Sequence, residues 1–339
     1  MKSVLIVGNS DVWSIETYYA KYLLKYGFKI DFFTVGDYYK WNLPFKVRIK
    51  LGDLSVFNLL NQTLIDYCNK TKPDIVWVFK GFELFPETIV KLTKMGCYLA
   101  NYNPDHPFIR TSIMHGGKNI PKSIPLYDMH FAYSQQLVQR INLEYKKKCT
   151  WLPFGYEFDS NNFGQIQSIE EIVKLCFIGT PDKIRSKLLI ELAQKGFKID
   201  VFSLTYPYEN QLRNEQNITL NPVVTGIAFW ENMRKYRVQL NFLREHNKGS
   251  HNQRTFEVPG VGGVLLTEYS EEQSHFFHEH REIFMFKDFE DLVNKANAIL
   301  NMGNKDILEV RDRCRDKSIV NGFNYESRTN IVINEFIKI

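Results

Sequence analysis

Two doubly wound α/β domains are the fold class that the sequence predicts, on three observations. Short apolar runs alternate with helix-period segments through the first half, a polar stretch with no plausible strand, read as an interdomain linker, interrupts them over 155–170, and the alternation then resumes. Such alternation implies a parallel sheet covered by helices on both faces. A length of 339 residues fits two units of roughly 150 each. The expected division is 1–160, 170–322 and a terminal helix over 323–339 that packs back on the first domain. Two Rossmann-like sheets facing across a cleft would suit the joining of two substrates away from water.

The elements of the first half follow in order as SVLIVGN, the helix IETYYAKYLLKYG, KIDFFTVG, a helix over 54–69, DIVWVFKG, a helix after Pro86, CYLANYN, MHFAYS and CTWLPFG. Two interruptions, 37–52 and 104–125, are too long for ordinary connections and mark candidate functional loops at the carboxyl ends of strands. The second half reads KLCFIGT, a helix over 183–195, IDVFSL, ITLNP, a helix over 228–235, RVQLNFL, a helix near Thr255, GVLLTE, EIFMF and a helix over 289–300. A last helix over 325–337 follows Gly322.

Composition narrows the function classes. Hydrophobic residues make up 44% and charged residues 24%, a globular balance without a run of ~20 apolar residues. The opening MKSVLIVGNSDVW ends its apolar run in Gly-Asn-Ser-Asp with no small-residue cleavage site, so it reads as a first strand and the protein is expected in the cytoplasm. The five cysteines lack CxxC spacing and are expected as free, buried thiols. Net charge is +5 and aromatics reach 14%, yet no basic stripe interleaves with the aromatics, which argues against nucleic acid as a partner. Lys146, Lys147 and Lys148 can meet an anionic membrane surface, or simply complement a helix end.

The most informative segment runs from Asn252 to Glu268, NQRTFEVPGVGGVLLTE. A polar loop enters a short helix with Arg254, Thr255 and Glu257 near its start, and Gly262 and Gly263 turn the chain into a buried strand. A helix start can take a diphosphate on free N–H groups, with Arg254 adding charge-assisted bonds and Glu257 accepting from ribose hydroxyls. The alternative is a capped helix whose Glu257 stabilises its own N-terminus. Both readings stay open at this point.

RTFEVPGVGGVLLTE, with HEHREIFMFKDFEDLVNKANAIL after it and LNFLREHNKGSHNQ and LCFIGTPDKIRSKLL before it, resembles the C-terminal module of the CgeB-like glycosyltransferases of the spore maturation protein type. The resemblance covers most of 173–300 and implies a GT-B fold and hexosyl transfer from a nucleotide-sugar donor. It implies that Glu257 binds the ribose, that Asn252 and Arg254 lie beside the diphosphate, and that Gly179, Thr180 and Arg185 form a turn and basic helix start facing it. Many retaining GT-B transferases carry a second glutamate eight residues before the ribose-binding one. Gly249 stands there, so stereochemistry is left open. The class needs no metal or other cofactor, since basic groups neutralise the leaving diphosphate.

In the first domain the candidate catalytic loop is NYNPDHPF, in which Asp105 or His106 could take the proton of an acceptor hydroxyl. The resemblance favours Asp105, through an acidic pair that precedes proline in related proteins. The competing reading is a turn in which Asp105 bonds its own backbone. Gly8 and Asn9 mark a tight turn that could approach a substrate, or the entry to a helix capped by Ser10, Asp11 or Ser14. His246, Lys248 and His251 could touch a phosphate or the donor sugar, or belong to a solvated loop. His275, His278 and His280 suggest zinc, but the intervening Phe276 and Phe277 point to packing, and no metal site is expected. The leading expectation is transfer to a surface glycan, a lipid-linked sugar or a protein. The alternatives are a nucleotide-sugar epimerase or hydrolase and a non-catalytic sugar-binding protein.

Overall fold

A computed structural model describes residues 2–40, 42–109 and 119–339. The chain divides into two compact units, Met1–Pro153 with Tyr325–Ile339, and Phe154–Asn324. Each is built on a sheet whose strands all run parallel.

The first sheet comprises β1 (Ser3–Gly8), β2 (Lys29–Thr34), β3 (Ile75–Phe79), β4 (Tyr98–Asn103), β5 (Met129–Ala132) and β6 (Lys148–Trp151), in the order β2-β1-β3-β4-β5-β6. Strand order reverses between β1 and β3, which opens a crevice at their carboxyl ends. The inner strands are apolar on both faces: every residue of β3 is buried, because helices cover the sheet above and below. On one side Leu5, Val7, Val76 and Val78 pack with Phe57 and Leu60. On the other, Trp77 meets Phe336 at 5.4 Å and Tyr19 meets Tyr325 at 5.4 Å, so the terminal helix Tyr325–Phe336 completes this core.

The second sheet comprises β7 (Ile172–Ile178), β8 (Ile199–Phe202), β9 (Ile218–Asn221), β10 (Tyr236–Asn241), β11 (Leu265–Glu268) and β12 (Phe284–Phe286), ordered β12-β11-β10-β7-β8-β9. This is the Rossmann order, and its reversal lies between β7 and β10.

Three expectations need revision. The stretch 155–170 is not an open linker; it holds the short helix Phe163–Gln167 with Ile166 buried, and belongs to the second unit. The interruption at 37–52 contains the helix Leu43–Lys50, whose Phe45 and Ile49 enter the core, so it covers the sheet instead of forming a loop. A helix that the apolar pattern did not reveal, Asn304–Val320, packs Ile307, Val310 and Cys314 inward. Of the second interruption, 110–118 lies outside the described residues. All five cysteines are free and buried. Among the described residues no helix is long and apolar enough to cross a membrane.

Two buried positions give testable consequences. His130 is 1% exposed and its Nε2–H donates to the Ile124 carbonyl at 2.9 Å; burial pulls its pKa down to about 4. Its depressed folded-state value means that the neutral ring stabilises the fold above the ordinary value of 6.5 and that this contribution is lost as pH falls from there through about 4. Equilibrium unfolding should show roughly 3 kcal/mol of extra acid sensitivity across that window, absent in His130→Gln.

At Gly263 an added Cβ would meet the Met233 carbonyl, Val258 Cγ1 at 2.7 Å and the Val258 carbonyl at 3.0 Å. Two of these obstacles are backbone, so the site cannot yield cheaply. Gly263→Ala should cost about 3 kcal/mol and lower the melting temperature by roughly 10 °C in a thermal scan.

Candidate active site

At the reversal of the second sheet, β7 runs out into Gly179 and Thr180, and the Gly179 N–H donates to the Phe202 carbonyl at 2.9 Å. The following helix, Lys183–Gln194, starts at Asp182, whose side chain accepts from the Arg185 N–H at 3.1 Å. Arg185 folds back over its own turn: Nε lies 3.0 Å from Asp182 Oδ2, and the guanidinium donates to the Thr180 carbonyl. It is buried and pulled down to about 10, first by burial, against the pull of Asp182 and with the positive charges of Arg244 and Arg254 adding to the effect. Three arginines thus share one electropositive neighbourhood.

Arg254 opens the helix Arg254–Gly260 and reaches across to β7, with Nε donating to the Ile178 carbonyl at 3.2 Å. Its other end is ion-paired with Glu257, and its face lies 4.9 Å from the Phe229 ring centroid. The structure therefore brings Gly179, Thr180, Arg185, Arg254 and Glu257 together at the carboxyl ends of β7 and β10, the place where an open parallel sheet receives its ligand. Glu257 lies in the first turn of this helix and pairs with Arg254 within it.

The other expected donor contacts sit differently. Thr255 is fully buried, and its hydroxyl donates to Gln273 Oε1 at 2.8 Å, so it is a scaffold residue and not a ligand contact. Asn252 exchanges side-chain amide bonds with Asn241 at 2.8 and 3.1 Å, and Asn241 also donates to Thr267 Oγ1 at 3.0 Å. This network joins β10, β11 and the Arg254–Gly260 helix in a low-dielectric interior where each polar group needs a partner. The N–H groups of Thr255, Phe256 and Glu257 are bonded within the turn, at 3.2, 3.0 and 2.9 Å. The expected row of free helix N–H donors is thus already engaged, and the charge for an anion comes from arginine side chains.

In the preceding loop His246 is 6% exposed and presents little surface, while His251 is fully buried beside Glu272 and accepts from the Phe154 N–H at 3.3 Å. Lys248 is exposed and paired with Glu245 at 2.7 Å. Phe276 and Phe277 between the clustered histidines are buried packing residues. Among the described residues no three His, Cys, Asp or Glu side chains converge as a metal ion would require.

In the first unit the crevice between β1 and β3 gathers a second polar group. Asn9 follows β1, and Ser14 caps the helix Ile15–Lys25 by accepting from the Thr17 N–H at 3.2 Å. Glu16, in the first turn, accepts from the Asn9 N–H at 3.1 Å, and its carboxylate fills the space where a Gly8 Cβ would stand. Burial raises the Glu16 pKa, opposed by these backbone bonds and by the charge of Lys80. Lys80 follows β3 with φ of 60°, and its Nζ lies 3.0 Å from Asp105 Oδ2. Asp105 is thus ion-paired, and the turn bond of this loop comes from Asn103, whose side chain accepts from the Asp105 N–H at 3.0 Å. His106 Nδ1 accepts from the Phe108 N–H at 3.2 Å.

Glu16, Lys80 and Arg244 escaped the sequence reading. For Lys80 a signal existed: a lone lysine followed by glycine at the carboxyl end of a fully apolar strand. Glu16 gave none, because a glutamate in a first helical turn is ordinary dipole chemistry.

Residues 185–334 match the family model described as glycosyl transferase-like. Among solved structures, a glycosyltransferase from Rickettsia africae is similar over 99% of this chain and 98% of its own, at 12% identity and a TM-score of 0.69. Sucrose-phosphate synthase from Thermosynechococcus elongatus matches over 100% and 99%, at 9% identity and 0.71. HepE from Anabaena, solved in complex with UDP, matches over the full length of both chains at 10% identity and 0.66. No curated protein matches. The chain has the GT-B fold, and the module that carries Arg254 and Glu257 is glycosyl transferase-like.

Proposed function

We propose that the protein takes a nucleoside-diphosphate sugar in its second unit and passes the sugar, a hexose, to a hydroxyl acceptor. The observation that carries this reading is the Arg254–Glu257 pair, anchored on the Ile178 carbonyl beside Arg185 at the sheet reversal. Glu257 offers the ribose two acceptor oxygens, and Arg254 and Arg185 face the diphosphate. In transfer the bond between the sugar C1 and the diphosphate oxygen breaks, a bond forms from the acceptor oxygen to C1, and the acceptor proton passes to a base. The guanidinium charges receive the developing charge on the leaving diphosphate, so the reaction is read as metal-independent.

For the base we assign Glu16 ahead of Asp105 and His106. Asp105 is held in an ion pair with Lys80 at 3.0 Å, which fixes its carboxylate for positioning. A desolvated carboxylate such as Glu16 takes up a proton more readily, which suits general base work near neutral pH. Asp105 with Lys80 is then an acceptor-positioning pair. A surface glycan, lipid-linked sugar or protein fits as acceptor, with the work done in the cytoplasm; Lys146 and Lys147 remain available for an anionic membrane face, whereas Lys148 is held by Glu335. Membership of the CgeB-like subtype is part of this proposal.

The test is product analysis with UDP-glucose first, since UDP is the nucleotide in the HepE complex, and then other nucleotide sugars. Acceptor-dependent release of the diphosphate that persists in EDTA supports the proposal. Conversion of donor at an unchanged rate without acceptor would make the protein an epimerase or hydrolase, and turnover that needs added magnesium would reject metal independence.

A further inference from the structure

The amino-terminal edge of the second sheet, opposite the donor site, carries a separate concentration of positive charge. β7 and β10 begin side by side there, with Tyr236 in register with Ile172. A cavity of about 210 Å³ opens at this edge, lined by Arg234, Lys235, Arg311, Glu171, Asn304 and Leu308 among others. The seven residues of β7 separate it from Gly179 by about 20 Å.

Within this cluster Glu171 is already committed. It accepts from Arg237 Nε at 2.7 Å and from Arg311 Nη2 at 2.8 Å, and these bonds outweigh burial and keep it ionised. The remaining donors of Arg237 go to the Met302 carbonyl at 2.8 Å and Asn304 Oδ1 at 2.9 Å. Arg311 also holds the carbonyls of Gly262, at 3.1 Å, and Arg234. Both arginines are therefore satisfied by the protein itself.

Arg234 is not. It is 6% exposed, and its Nη1 donates to the Val261 and Gly262 carbonyls at 3.1 and 3.0 Å. Its Cζ lies 5.2 Å from the Phe163 ring centroid, and among the described residues no hydrogen bond involves its Nε or Nη2 and no carboxylate forms an ion pair with it. Burial, with the charge of Arg311 adding, pulls it down to about 10, against the opposing charges of Cys314 and Asp312. Lys235 adjoins it on the lining, half-buried and without a carboxylate partner among the described residues. A buried guanidinium with unspent donors, a neighbouring ammonium and a cavity form a site for an anion with several acceptor oxygens. The volume is below that of a drug-sized pocket and limits the occupant to a small molecule.

We propose that this cavity binds phosphate, either inorganic or as a small phosphate monoester, with Arg234 as the principal contact and Lys235 as its partner. The ligand's oxygens would satisfy Arg234 and so tie the start of β10 to the Asn304–Val320 helix, while Leu308, 54% exposed, forms part of the rim.

The test is isothermal titration of the full chain, at fixed ionic strength, with inorganic phosphate in one arm and glucose 6-phosphate in the other. Arg234 also holds the Gly262 turn, so Arg234→Gln can unfold the protein; Lys235→Glu and Leu308→Asp change the charge of the cavity without removing a buried bond. Saturable binding in either arm, weakened about tenfold or more by both variants and unchanged in Arg254→Ala, is the expected result, and the arm that binds more tightly identifies the source of the phosphate. The proposal is overturned by the absence of saturable binding up to about 10 mM in both arms, by binding that survives Lys235→Glu, or by binding lost in Arg254→Ala, which would place the anion in the donor site.

Discussion

Glu16→Gln is expected to lower kcat by about two to four orders of magnitude while leaving donor affinity and melting temperature nearly unchanged. Glutamine keeps an oxygen that can accept from the Asn9 N–H, as the carboxylate does at 3.1 Å, so the turn after β1 survives the change. What is lost is the ability to take a proton. The pH profile adds a second reading, because burial raises the Glu16 pKa and the acidic limb of kcat/KM should lie above the ordinary carboxylate range of about 4.5. A base must be ionised to act, so activity falls as pH drops through that raised value. Asp105→Asn tests the rival assignment: it should raise KM for the acceptor more than it lowers kcat. If Asp105→Asn abolishes turnover and Glu16→Gln spares it, the two roles are reversed.

Arg254→Ala should weaken donor binding and lower kcat/KM together, by about 10²-fold to 10³-fold. The deletion removes a cation from the diphosphate position and also releases Glu257 from its ion pair, leaving a carboxylate to face the incoming anion. Arg254→Lys separates charge from geometry. A lysine retains the positive charge but cannot hold the Ile178 carbonyl and Glu257 at once, so it should recover only part of the loss. Equal kinetics in Arg254→Ala and the parent enzyme would remove Arg254 from the site.

Much of the architecture was legible because apolar runs such as IVWVF have one physical use, as strands buried on both faces. The repetition of that pattern gave both domains, and the segment RTFE after a polar loop gave the donor pair. The helix Asn304–Val320 was less legible because its charged residues encircle a narrow buried line of Ile307, Val310 and Cys314, too thin to read as an apolar face. Thr255 and Asn252 looked like ligand contacts because polarity in a loop does not reveal direction; their side chains turn inward to Gln273 and Asn241. Glu16 and Lys80 lie 64 positions apart, and only strand order, with β1 beside β3, brings them into one crevice. The amino-edge residues Arg234, Lys235 and Arg311 are equally silent in sequence, where basic side chains on helices look like a solvated face.

The most direct test of a nucleotide donor site is a thermal-shift panel of UDP, GDP, CDP, dTDP and ADP on the wild-type protein and Glu257→Ala. At about a hundred times its Kd, a ligand of the folded state adds about 2.7 kcal/mol, enough for a shift of several degrees. The expected result is stabilisation of the wild type by one of these diphosphates, lost in Glu257→Ala. Stabilisation by none of them, or a shift that Glu257→Ala leaves intact, would contradict it.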